Sequence, residues 1–215
     1  MSDLRTAPES GAPALGVLLD ASGRQAVDLV RALPDASLTR RTPCADYDVR
    51  ALLDHLFHVV VQFRELALKQ PSDFSATPER VAVAADWREG FAAAVAELVG
   101  AWSLPGAEEG TTGALDMPAR TVGCMALLDL TVHAWDLARA LEVPYRPDPD
   151  GTGVVPVLER AVAELGPTAR RMGMMGEPVA VPQGAEAFER LLAATGRDPR
   201  WAPSARGSAP GEPES

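Results

Sequence analysis

The chain has 215 residues, enough for one well-buried core but not comfortably for two domains, and its apolar fraction of 47% is ordinary for a globular protein. Aromatic residues make up only 5%, so the core must be built from Ala, Leu and Val, a composition that suits packed helices. With 20 basic against 30 acidic residues the net charge is -10, which repels phosphate backbones and anionic lipid headgroups and excludes nucleic acid and membrane surfaces as expected partners.

Residues 1–12 are polar and broken by Pro and Gly, and residues 203–215 have no large apolar side chain; both are expected to be disordered, leaving 13–202 as a single helical-bundle domain. No basic segment followed by an apolar stretch opens the chain, and no apolar run could span a bilayer. Cys44 and Cys124 form no CxxC pair, so neither a disulfide framework nor a thiolate zinc site is indicated, and a reducing cytoplasm is the expected compartment. Both cysteines read as small packing residues, since nothing near either in sequence would activate a nucleophile.

The first helix is expected over about 14–33, its stripe of Leu15, Leu18, Leu19, Ala26, Val27, Val30 and Leu33 interrupted near Gly23 and closed by Pro34. After a connector, Asp46 or Asp48 can cap a second helix over about 47–69, buried through Leu52, Leu53, Leu56, Phe57, Val60 and Phe63. A third is expected from Pro78, in a favourable first-turn position, to Trp102. A Gly- and Glu-rich loop over 103–118 precedes the most apolar helix, 119–142, which should be central. Pro144, Pro147 and Pro149 then break the chain. There follow a shorter helix near 154–165, a loop around Met172, Met174 and Met175, an extended piece 178–182 and a last helix near 185–195. The methionines either line a pocket or, the plainer reading, fill a gap under the loop. No strand pair is strong enough to seed a sheet. The expected fold is therefore all-α: an antiparallel four-helix bundle with a short C-terminal helical appendage.

All three histidines fall on two of these helices. Asp129 and His133 are spaced so that a carboxylate and an imidazole share one helix face about a turn apart, the geometry two side chains need to grip one metal ion. An Asp so placed can also simply hydrogen-bond to the imidazole. With Leu128, Leu130 and Val132 around it, Asp129 needs a compensating cation or hydrogen bond if that face is buried. A third ligand can come from the second helix, which carries His55 and His58. Two imidazoles and one carboxylate would leave a coordination position open for water or substrate. His58 is a second-shell group, an acid or base near the metal, or simply exposed. Asp136, a turn beyond His133, could orient the imidazole or pair with an arginine. There is no glycine-rich phosphate loop, GxSxG elbow or HExxH helix.

Two blocks carry a family resemblance. Thr42-Pro43-Cys44-Ala45-Asp46-Tyr47-Asp48-Val49-Arg50-Ala51-Leu52-Leu53-Asp54-His55-Leu56 resembles the TPCxxWxVRxLLxHL opening of the DinB-like, mycothiol-dependent maleylpyruvate isomerase N-terminal superfamily. Asp129-Leu130-Thr131-Val132-His133-Ala134-Trp135-Asp136-Leu137-Ala138-Arg139 is similar to its D/ExxxHxWDLARA helix. The ending, from Gly176 to Pro182 and from Phe188 to Trp201, is similar to the close of an actinobacterial metal-binding branch, so the likeness spans roughly 14–202.

The resemblance implies a DinB-like bundle holding a divalent ion, zinc or nickel, on His55, Asp129 and His133. It implies an enzyme of thiol-transferase or mycothiol-dependent isomerase type, with mycothiol as a possible cosubstrate and a small electrophilic molecule as substrate. A monomer or a homodimer is expected. Two departures matter: Asp129 stands where the isomerase has Glu, a shorter arm, and nothing here matches the isomerase's separate C-terminal domain. Two other functions fit the same residues: a bundle that binds a small molecule or protein without catalysis, and a pathway-specific cyclase or dehydratase of secondary metabolism.

Overall fold

The computed structural model describes residues 13–203. The disorder expected at 1–12 and 203–215 lies outside these residues, Pro203 excepted, which has no regular secondary structure. Six helices follow one another: α1 (Leu15–Ala32), α2 (Val49–Ala67), α3 (Trp87–Trp102), α4 (Ala119–Leu141), α5 (Val154–Arg171) and α6 (Ala187–Ala194). A two-stranded antiparallel ribbon, β1 (Thr111–Thr112) and β2 (Met117–Pro118), lies in the loop before α4, where no strand was expected. The chain thus forms the all-α bundle that its patterning predicts.

Helix α1 packs on α3 and α4, and α2 packs on the same two, so the helices form a closed ring around one core. Their directions follow from the residues that meet. Gly23 lies beside Val95, and Arg31 pairs with Glu89, so α1 and α3 are antiparallel. His55 meets His133, whereas Leu66 accepts a hydrogen bond from Thr112 just ahead of α4, so α2 and α4 are antiparallel as well. Phe57 packs against Phe91 and Arg64 pairs with Glu97, which makes α2 and α3 parallel and requires the long crossover 68–86 between them. Leu15 lies against Gly123, and the hydroxyls of Ser22 and Thr131 are 3.0 Å apart, so α1 and α4 run the same way. Apart from Trp102 and Phe91, the largest fully buried side chains are leucines, as the low aromatic content requires.

Helix α1 spans the expected stretch, and Gly23, where its apolar stripe is interrupted, is a buried close contact with α3: a Cβ there would lie 2.6 Å from Cγ1 of Val95. Two helix boundaries differ from expectation, each for an identifiable reason. Helix α3 begins at Trp87 rather than Pro78. The buried Asp54 carboxylate of α2 accepts the backbone N–H groups of Arg80 at 2.7 Å and Val81 at 2.8 Å, so these amides hold the crossover against α2 instead of starting a helix. Helix α5 continues past 165 to Arg171 despite Pro167 in its interior. Its last turn is tied down by the Arg170 guanidinium, which donates to the carbonyl of Ala194 at 3.2 Å.

Residues 172–203 and α6 dock on the outer face of α4 through a small second core of Val132, Trp135 and Leu192, with Tyr145, Phe188 and Trp201 around it. Of the methionines expected to pack under the loop, Met172 and Met174 are exposed, and Met175 alone packs on the core. No helix among the described residues is long and apolar enough to cross a membrane.

Candidate metal centre

The site lies where α2 begins and α4 ends. Asp48 caps α2 by accepting the N–H of Ala51 at 2.8 Å, which fixes the start of the helix and so places His55 in its second turn. The loop before it is held by Thr42, whose buried hydroxyl lies within hydrogen-bond distance of the carbonyls of Cys44 at 2.9 Å and Tyr47 at 2.7 Å. Arg40 donates from the same loop to the carbonyl of Ala140 near the end of α4, at 3.2 Å. The Thr-Pro-Cys segment is therefore a brace across two helix ends, and it presents Cys44 and Tyr47 to the site.

The Tyr47 ring stacks on His55 with centroids 5.2 Å apart, and His55 in turn meets the His133 ring edge-on at 5.0 Å. Nδ1 of His133 is 2.9 Å from Oδ2 of Asp136, a fully buried carboxylate. A carboxylate can only accept, so the imidazole donates from Nδ1, which leaves Nε2 as the nitrogen open to another partner. Arg197 reaches the same Oδ2 at 3.3 Å from the segment after α6. Both roles that Asp136 could have had, orienting an imidazole and pairing with an arginine, are thus present together.

Burial, followed by the neighbouring His133, His58 and Arg197, pushes His55 down to about 4, so its ring is neutral at neutral pH and offers a lone pair. Burial pushes the Asp129 carboxyl up, opposed by His133 and Arg197. The Cys44 thiol is likewise raised by burial, with Arg197 opposing, and so is not an activated nucleophile.

Of the residues singled out in the sequence, His55 and His133 meet ring to ring, with Asp129 a half-buried turn before His133 on α4. The donor atoms that lie within 4.8 Å of one another are those of Cys44, His133 and Asp136. His58, a turn beyond His55, is buried and turned to the crossover, with its ring 6.1 Å from that of Phe74. Neither of its nitrogens has a hydrogen-bond partner among the described residues. Two imidazoles, that of His55 neutral and that of His133 oriented through Nδ1, and the Asp129 carboxyl, which burial disfavours as an anion, are donor types that suit a divalent cation, although the donor atoms of these three do not lie within 4.8 Å of one another among the described residues.

Sequence reasoning passed over Tyr47, the approach of Cys44 and the arrival of Arg197. For Arg197 a signal existed, since Thr195-Gly196 ends the last apolar helical stretch and the next residue must be projected by the turn.

The bundle, with a histidine and carboxylate cluster at one end, defines a DinB-like helical protein. The chain belongs to the family described as "Mycothiol maleylpyruvate isomerase N-terminal domain", whose model matches residues 19–138. No curated protein and no solved structure matches it.

Proposed function

We propose that this protein is a divalent-metal enzyme of thiol-transferase or mycothiol-dependent isomerase type, with His55, Asp129 and His133 as ligands and a small electrophilic organic molecule as substrate. The observation that carries the reading is the hydrogen bond between Nδ1 of His133 and Asp136, which engages one ring nitrogen and leaves Nε2 for a ligand role, in a ring that meets the neutral His55 imidazole edge-on. Mixed nitrogen and oxygen donors of this kind suit zinc or nickel. When bound, such an ion supplies the charge that turns a thiol into a thiolate at neutral pH. The protein's own groups do the rest: Asp136 holds the His133 ring, Tyr47 covers the face of His55, and Arg197 places a positive charge next to both carboxylates.

Metal analysis tests the proposal. The purified chain should hold about one zinc or nickel per molecule, and His133→Ala should lose it. A well-folded protein that is metal-free and cannot be loaded would overturn it. Mycothiol should raise the melting temperature of the loaded protein if it binds the native state. No shift at saturation removes mycothiol as cosubstrate.

A further inference from the structure

Arg197 lies outside the matched family domain, yet it reaches the centre of the site. Its position is set by the end of α6. The N–H of Gly196 donates to the carbonyl of Ala193 at 3.1 Å, and the N–H of Arg197 donates to that of Leu192 at 3.0 Å. With Gly196 at φ +88°, this is a Schellman turn, and Arg197 is the residue it projects. The turn is pinned from behind: a Cβ on Gly196 would lie 2.7 Å from Cα of Gly176, and Val179 donates to the carbonyl of Ala193 at 2.9 Å. Further along, Arg139 of α4 donates through Nε to the carbonyl of Trp201 at 2.9 Å.

Held in this way, Nη2 of Arg197 meets Oδ2 of Asp136, the oxygen that also accepts from His133, whereas Oδ1 has no partner among the described residues. Asp136 is fully buried, and the arginine side chain is only 16% exposed. A buried carboxylate with one cationic and one imidazole partner on a single oxygen has its rotation fixed by both. Without the cation, the imidazole alone must hold it.

We propose that Arg197 is a positioning residue: acting through Asp136, it fixes the Nδ1–H tautomer and ring orientation of His133, so that the C-terminal segment is a working part of the site. This rests on the functional reading above only for its metal-binding consequence. The tautomer is a property of the metal-free protein.

The experiment has two arms. In metal-free protein, the ring nitrogens of His133 are observed by ¹⁵N NMR in the wild type, Arg197→Met and Arg197→Lys. The wild type should show a protonated Nδ1 and a bare Nε2, Arg197→Met should move these signals toward a mixed tautomer, and Arg197→Lys should restore them in part. Identical His133 signals in all three overturn the proposal. In the second arm, zinc affinity is measured by chelator competition across the cycle of Arg197→Met, Asp136→Asn and the double variant. Arg197→Met alone should weaken binding about tenfold, but should change little once Asp136 is Asn. Additive losses overturn the proposal. If the wild type binds no zinc, the functional reading fails while the NMR arm still decides the role of Arg197. Circular dichroism of each variant separates these outcomes from unfolding.

Discussion

His133 and Asp136 are joined along one face of α4 by a 2.9 Å bond from Nδ1 to Oδ2, and this contact orients the ring that His55 meets edge-on. The carboxylate is wholly buried and cannot exchange its partner for water. The orientation of the ring is therefore a property of the folded core.

Asp136→Asn should accordingly weaken zinc binding roughly 10–100-fold with the helical signature intact, because an amide can turn its NH2 toward the ring and favour the other tautomer. Chelator competition at fixed pH measures it. Unchanged affinity would mean that Asp136 does not orient a ligand.

Asp54 makes a prediction about the crossover. Both amides that it holds, those of Arg80 and Val81, donate to the same oxygen, Oδ1. Asp54→Ala should therefore cost about 2–3 kcal/mol, since it strips one buried and one partly buried N–H group of their shared acceptor. Asp54→Asn keeps one oxygen in place and should cost clearly less. Urea denaturation of both variants checks the order, and equal losses would count against this account.

How much of this was legible in the sequence depends on whether a residue's partners lie in its own helix. The bundle and the central place of α4 follow from spacing alone, because i, i+3 and i+4 neighbours share a face, and the same spacing leaves Asp136 open to His133 or to an arginine, both of which it meets. The start of α3 does not. Pro78 and the apolar residues after it look helical, and only the approach of Asp54 from another helix diverts their amides. The same holds for Gly23, which reads as a gap in the apolar stripe but is a close contact with Val95, and for Cys44, which reaches the site from a segment with no periodicity to read.

Histidine 58 is a buried imidazole whose two nitrogens have no partner among the described residues. Replacing it with leucine removes a desolvated polar ring and keeps the apolar contact with Phe74, so His58→Leu should raise stability by about 1 kcal/mol. Zinc affinity should be unaffected. A loss of either stability or metal would show that the ring is used.

The acid limb of stability should include Asp148. Burial pushes this carboxyl up, but the hydrogen bonds it accepts from the Thr152 hydroxyl and the backbone of Gly153, Thr152 and Val154 outweigh that and hold it below its ordinary value of 3.8. A group whose folded pKa is depressed contributes fully above the unfolded value and loses that contribution as pH falls through the folded one. At pH 7, Asp148→Ala should cost about 1 kcal/mol through the loss of this cap on the start of α5. The gap to wild type should narrow as the pH is taken below 3.8. A gap that is constant with pH would assign the effect to packing.

Gly123 and Gly23 offer a comparison within one bundle. A Cβ at Gly23 meets one methyl group, Cγ1 of Val95 at 2.6 Å. At Gly123 it meets Cδ1 of Leu15 at 2.4 Å and also the indole of Trp102 at 3.0 and 3.1 Å. Alanine gains about 1 kcal/mol of helix propensity over glycine at either position. Against this stands an overpacking cost of about 1–3 kcal/mol, which is smaller where one side chain can shift. Trp102 is a large, fully buried side chain that would have to move together with Leu15, whereas Val95 is a single side chain at the α1/α3 contact. Gly23→Ala should therefore be close to neutral and Gly123→Ala clearly destabilising. Thermal unfolding of the two variants beside wild type gives the order, and the reverse order would mean that α4, not α3, is the more yielding neighbour of α1.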